Sequence, residues 1–319
     1  MLKKYLYFFL FLIISSGLAL TLGAVSLSSL EAETALLILI SIRLPRVLGA
    51  ALAGAALASA GTLLQCVTAN ELCAPNIIGI NSGAGFGVIV TLCFMPSMWA
   101  MLPVSAFIGA CLSCGIIMGI AFGTGRKTST GSIVLCGVAL SSLLTAGIAF
   151  LSLRYPDVLS SYTAFSTGGF SGTKLKELSV PGVIIFTALL ISQIISPALN
   201  LLCLGDEMAS SLGIRVRGVR ITALLCACAL CASAVSFAGL LGFVGLIVPH
   251  IVRRLCGNDM RYNILMSAMG GGALCIASDL IGRTLFAPTE LPCGIIMAFI
   301  GAPFFIYLLI RRRYSDDRM

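Results

Sequence analysis

Positions 72 to 125 run for 54 residues without one charged side chain, bounded by Glu71 and Arg126. A helix crosses the bilayer core with about 20 apolar residues. The run is therefore too long for one core helix of a soluble domain and fits two membrane crossings with a turn between them. Charge is avoided in the same way along the rest of the chain, so lipid is the solvent against which this sequence has to fold.

Composition supports that reading and removes other classes. Hydrophobic residues make up 59% of the 319 and charged residues 10%, against about 25% charged in an ordinary soluble domain. The net charge of +8 would suggest a nucleic-acid partner only if the basic residues gathered on one exposed face. They stand instead in ones, twos and threes between apolar runs, as topology determinants do; nucleic acid is not an expected partner. Most of the thirteen cysteines, among them Cys111, Cys114, Cys226, Cys228 and Cys231, lie in apolar windows. The two CxxC spacings have no His, Asp or Glu nearby, so they read as small buried hydrophobes and no metal site is expected. Lys3 and Lys4 precede an apolar stretch from Tyr5 to about Val25. Its full spanning length and the absence of a small-x-small cleavage site make it an uncleaved first crossing rather than a secretory signal.

Ten crossings are expected, near 5–25, 46–67, 75–94, 100–123, 131–152, 181–203, a seventh and a shorter eighth within 221–252 that meet at Gly239, 262–280 and 291–310. All fall in one polytopic domain spanning 1–319. With the amino terminus in the cytoplasm, the inner side collects 14 of the 20 basic residues: Lys3, Lys4, Arg126, Lys127, Arg215, Arg217, Arg220, Arg253, Arg254, Arg261, Arg311, Arg312, Arg313 and Arg318. The outer side keeps Arg43, Arg46, Arg154, Lys174, Lys176 and Arg283. The positive-inside bias selects that orientation, with both termini cytoplasmic. A weak echo links Ala51–Gly61 (ALAGAALASAG) to Ala229–Gly239 (ALCASAVSFAG) in spans of opposite direction, as an inverted-topology repeat requires.

Glycines inside the spans, such as Gly54, Gly61, Gly83 and Gly271, let helix backbones approach closely where lipid supplies no hydrophobic drive. Ionisable groups within spans are few. Asp279 stands four residues before Arg283, a pairing distance on a helix. His250 reads as packed or capping, and Glu71 and Glu290 as span-end residues that cap helix starts. Such scarcity argues against an ion-coupled carrier, so active transport would be driven by a partner. No P-loop, HExxH or GxSxG appears, and no enzymatic role is expected. One inner loop stands out. Leu204–Gly213 reads as a short helix with Gly205 before it, Asp206 and Glu207 in its first turn, an apolar stripe of Leu204, Met208 and Leu212, and Gly213 as its C-cap. An amphipathic helix of this kind reads as a docking element for a partner, with a helix lying on the membrane surface as the alternative.

Taken together, eight segments resemble the FecCD family of permeases. They are Arg43-Leu44-Pro45-Arg46; Gly54 to Gln65; Asn70 to Gly83; Gly137 to Ser141; Leu204 to Gly213; Gly242 to Arg254; Asp279 to Arg283; and Ala287 to Phe304. The resemblance implies an all-α membrane protein of about ten transmembrane helices with the BtuC-like ABC importer permease fold and an inverted-topology repeat. It also implies a place in the bacterial cytoplasmic membrane, as homodimer or paralogue heterodimer. The implied partners are two ATP-binding-cassette ATPase subunits, an extracytoplasmic substrate-binding protein and membrane lipid. ATP would be bound by the ATPases, with no cofactor in this chain. Gly205, Asp206, Glu207, Ala209, Leu212 and Gly213 resemble the ATPase-coupling loop, with Met208 replacing the first alanine of its EAA pattern. Arg43, Arg46 and Arg283 resemble arginines that meet glutamates of the binding protein. The chain departs from the family around Phe165, Thr167 and Gly168, where a W-x-x-G-S pattern is usual. The expected cargo is an iron(III)-siderophore, with haem or cobalamin as the alternative in the same machinery and a proton-coupled secondary carrier as the alternative from another class.

Overall fold

The structure is a computed structural model that describes residues 2–23, 31–76, 79–123, 130–285 and 287–316. Arg126, Lys127 and Arg318 lie outside the described residues, as do Ile77 and Ile78 of the Asn70–Gly83 motif and the side chains of Lys3 and Arg311 to Arg313. Helices follow the charge-free windows: α1 (Leu2–Thr21), α2 (Ala32–Ile38), α3 (Leu44–Val67), α4 (Ile80–Phe94), α5 (Leu102–Gly123), α6 (Thr130–Arg154), α7 (Leu159–Thr167), α8 (Leu175–Ile194), α9 (Ser196–Leu202), α10 (Asp206–Ser211), α11 (Val216–Ala238), α12 (Val244–Cys256), α13 (Met260–Thr284) and α14 (Cys293–Asp316). Seven helical stretches among the described residues are long and apolar enough to cross a membrane, and α4 and the apolar Cys293–Leu308 stretch of α14 are shorter apolar ones. With the 13-residue α12 they make the ten crossings expected.

Local chemistry sets the boundaries. A π turn over Leu39–Arg43 joins α2 to α3, extending the second span well before Arg46, where the expected crossing began. Pro45 follows that π turn at the start of α3; without an N–H it cannot carry on the hydrogen-bond ladder of the turn before it. The third crossing starts at Ile80 rather than near 75, because Gly79 enters it with φ +82, a left-handed conformation that glycine adopts without strain. The sixth crossing breaks at Ile195, after which Pro197 restarts the helix as α9.

The packing repeats itself upside down. α3 lies on α13 as α11 lies on α5, α12 on α13 as α4 on α5, α12 on α3 as α4 on α11, and α13 on α14 as α5 on α6. Exchanging α3–α6 with α11–α14 leaves the pattern of neighbours unchanged while reversing every helix, which is an inverted-topology repeat. Both α4 and α12 also enter from a left-handed residue, Gly79 and Phe243. Small residues make the crossings tight. A Cβ on Gly54 would overlap the Gly271 carbonyl, and a Cβ on Gly271 would overlap the Gly54 carbonyl. Gly61 meets the Gly245 backbone and Gly83 meets that of Gly109 in the same way.

Two polar ends enclose this apolar body. At one, the Lys4 ammonium donates to the Leu255 carbonyl, Asn200 Nδ2 donates to Asp259 Oδ1 at 2.7 Å, and Gln193 Nε2 donates to the Arg261 carbonyl at 2.8 Å. That end carries α10. The other end carries Arg43, Arg46, Asp279, Arg283 and Glu290.

Candidate functional site

At the first end, glycine chemistry on both sides frames α10. Gly205 precedes it at φ +103, ψ +158, a region open essentially to glycine alone. After the helix Gly213 takes φ +84. Its N–H donates to the Ser210 carbonyl at 3.0 Å, and the Ile214 N–H donates to the Ala209 carbonyl at 3.1 Å. Those two bonds form a Schellman cap, which satisfies carbonyls that a helix end leaves open. Ala209 faces inward with no exposure, and Arg220 of α11 holds Asp206 at 2.8 Å. The opposite face is left bare. Leu204, Met208 and Leu212 are 63%, 55% and 56% exposed, with Glu207 exposed beside them. The structure thus brings together all six residues singled out in this loop and points the apolar stripe away from the bundle.

The arginines at the opposite end behave otherwise than expected. Arg46 is 8% exposed and Asp279 3%. Arg46 Nε donates to Asp279 Oδ2 at 2.8 Å and its Nη2 to Asp279 Oδ1 at 2.9 Å, a bidentate pair, while its Nη1 donates to Glu290 Oε2 at 2.8 Å. Arg283 forms the expected helical ion pair with Asp279 at 3.9 Å and also donates to the Ala19 carbonyl. Arg43 donates to the Leu20 and Thr21 carbonyls at 2.8 and 2.7 Å. The two arginines together cap the last turn of α1, whose carbonyls have no partner within the helix and carry the negative end of its dipole. Docking on a partner asks for reachable charge. Here Arg43, Arg46 and Arg283 are buried and committed inside the protomer, and the Glu290 side chain, 38% exposed, is the member of the cluster that reaches the surface.

A cavity of about 300 Å³ opens beside this cluster, walled by Arg46, Asp279, Glu290 and the segment from Thr167 to Ser171. That segment, the place of departure from the family pattern, is wedged into the body. The Gly169 N–H donates to the Ala238 carbonyl at 2.8 Å and the Gly294 N–H to the Gly168 carbonyl at 3.1 Å, which fixes it between the end of α11 and the start of α14. Phe170 is fully buried. His250 packs edge-on against Phe304 with ring centroids 6.0 Å apart, in keeping with a packed role. No group of three or more metal-ligating side chains occurs among the described residues.

A family model described as the FecCD transport family matches residues 6–311, nearly the whole length over which this geometry is built. The chain belongs to the FecCD transport family. It is 36% identical over 309 residues to the permease of an Fe(3+)-citrate import system of Bacillus subtilis, covering 93% of this chain and 92% of that one. It is 35% identical over 281 residues to a hemin transport permease of Yersinia pestis, covering 86% and 83%. Against a cobalamin import permease of Halobacterium salinarum it is 37% identical over 303 residues, covering 93% and 81%. Among solved structures, a metal-chelate-type ABC transporter in an inward-facing conformation matches with a TM-score of 0.89 and 28% identity, over 98% of this chain and 100% of that one. This FecCD chain is therefore a multi-pass transport permease with the BtuC-like fold.

Proposed function

We propose that this chain is the permease subunit of a binding-protein-dependent importer that moves an iron(III)-siderophore inward across the bacterial cytoplasmic membrane. Two copies, or one copy and a close paralogue, enclose the pathway. α10 faces the cytoplasm and seats on an ATP-binding-cassette ATPase. The observation that carries the coupling role is the bare stripe of Leu204, Met208 and Leu212 beside the exposed Glu207. It lies on a helix pinned to α11 through Asp206 and Arg220, so a push on α10 is passed to a spanning helix. ATP-driven closure of the ATPases would tilt α10 and swing the bundle from outward to inward opening. The binding protein docks at the opposite end, where Arg43, Arg46 and Arg283 keep the rim in shape from beneath.

Glu207→Arg is expected to abolish ATP-driven uptake while leaving membrane insertion intact. Placing a like charge in a complementary interface costs several kcal/mol, enough for more than about tenfold loss of uptake. Proteoliposomes holding the permease, ATPase and binding protein give the measurement, and normal uptake by the variant would remove α10 from the coupling role. Uptake by the chain alone under a proton gradient would instead favour a secondary carrier. Against that carrier, the buried charged residues among those described are Arg43, Arg46, Arg220, Asp279 and Arg283, and the one carboxylate among them is already paired with Arg46.

Haem or cobalamin is the second reading of the cargo, favoured by the hemin and cobalamin permeases that match at 35% and 37% identity beside the iron-citrate one at 36%. Deleting the gene and supplying one iron or corrin source at a time separates them. Loss of growth on ferric siderophores alone supports the first reading; loss confined to haem or corrin supports the second.

A further inference from the structure

The cysteines divide unequally. Of the thirteen, Cys203 alone is exposed. It lies in the turn between α9 and α10, two residues before Gly205. Its Sγ is 2.9 Å from Sγ of Cys66, the second-last residue of α3, which is buried and also reaches the Leu199 carbonyl at 3.5 Å. Two sulfurs this close stand in hydrogen-bond contact and need little movement to bond. We infer that Cys203 and Cys66 form a peroxide-sensitive thiol pair whose disulfide staples the root of α10 to α3 and slows transport.

The chemistry suits the pair. The Cys66 sulfur in hydrogen-bond contact and the Arg253 guanidinium both lower the pKa of the Cys203 thiol, outweighing the burial that raises it, which favours the thiolate, the reacting form of cysteine. Arg253 is itself held in place by donating to Gln65 Oε1 of α3. A thiolate at Cys203 attacks one oxygen of hydrogen peroxide. The O–O bond breaks, hydroxide leaves, and Cys203 becomes a sulfenic acid. Sulfur of Cys66, giving up its proton, then attacks the sulfenic sulfur; the S–O bond breaks and water leaves. The balance is two thiols and one peroxide giving one disulfide and two waters, with sulfur oxidised and oxygen reduced. A cytoplasmic thiol pair is ordinarily kept reduced, and disulfides there are chiefly transient or sensing, so the staple would form under peroxide and open by thiol exchange. The other cysteines are at least partly buried and lack this access.

The cytoplasmic setting and the effect on transport rest on the importer reading; the bond itself does not. Purified full-length permease, and its reconstituted complex with ATPase and binding protein, are treated with hydrogen peroxide and digested with free thiols blocked. Mass spectrometry is expected to find a Cys66–Cys203 peptide pair that dithiothreitol removes. ATP-driven uptake by the treated complex should fall by about tenfold, the factor that ~1.4 kcal/mol represents, and recover with dithiothreitol. C203S should keep basal uptake and lose both the linked peptide and the peroxide sensitivity. C66S should lose the linked peptide while Cys203 still traps a sulfenic-acid reagent. No linked peptide in the wild type overturns the inference whatever transport does, as does equal peroxide sensitivity in C203S. A linked peptide in a complex that shows no ATP-driven uptake would keep the thiol pair and sink the importer reading.

Discussion

Asp279→Ala is expected to lower stability by about 3–5 kcal/mol, the usual consequence of removing one partner from a buried ion pair. Arg46 would keep its charge in a site where it is 8% exposed, with the bidentate carboxylate gone and Glu290 as its remaining acidic partner. The damage would spread beyond one contact, because Arg46 ties the start of α3 to the end of α13 and to the segment before α14. Thermal unfolding in detergent, followed by loss of monodisperse protein, gives the reading. Arg46→Met with Asp279→Leu is the informative companion, since a buried pair replaced by apolar residues of similar size is often neutral or stabilising. The double variant should therefore recover part of the loss, because Arg283 and Glu290 each still lose a partner, and a double-mutant cycle measures that coupling. An Asp279→Ala protein as stable as the parent would mean that the bidentate pair does not form. Charge reversal at Arg46 and Arg283 is likewise expected to unsettle the fold, and any loss of binding-protein docking would follow from that.

Gly271→Val should be comparably harmful for a steric reason. Even a Cβ at 271 would overlap the Gly54 carbonyl and crowd Ala58, so α3 and α13, a closely packed pair at the centre of the bundle, would have to separate. In lipid, close backbone approach is what holds such helices together, and overfilling a tight contact costs about 1–3 kcal/mol or more. The expected result is little or no folded protein in detergent extracts at growth temperature. Gly115→Ala provides the contrast. Nothing lies within 4 Å of a Cβ there, and alanine favours a helix by about 1 kcal/mol over glycine, so that variant should be as stable as the parent or more so. If Gly271→Val matched Gly115→Ala, the packing of α3 on α13 would be wrong.

Much of α10 was legible because its determinants are local. Gly205, Gly213, the acidic first turn and the period-four stripe lie within ten residues, and each acts through the backbone of its own segment. The arginine cluster was only partly legible, for the opposite reason. The helical pair of Asp279 and Arg283 is present at 3.9 Å, yet the nearer partner of Asp279 is Arg46, 233 positions away. Arg43 and Arg283 cap α1 through main-chain carbonyls, which leave no trace in side-chain identity. Nor could the Cys66–Cys203 contact be found from CxxC spacings, since it joins two helices that only the fold brings together.

By itself, the sequence determined the solvent, the number of crossings and the glycine-framed loop. Apolar length and backbone preference are properties of contiguous residues, and lipid enforces them before any helix meets another. Only the tertiary structure decided which charges neutralise one another, which glycines touch, and that the arginine rim turns inward. Those outcomes depend on how helices distant in the chain cross, and a buried charge is satisfied by whichever partner the crossing delivers.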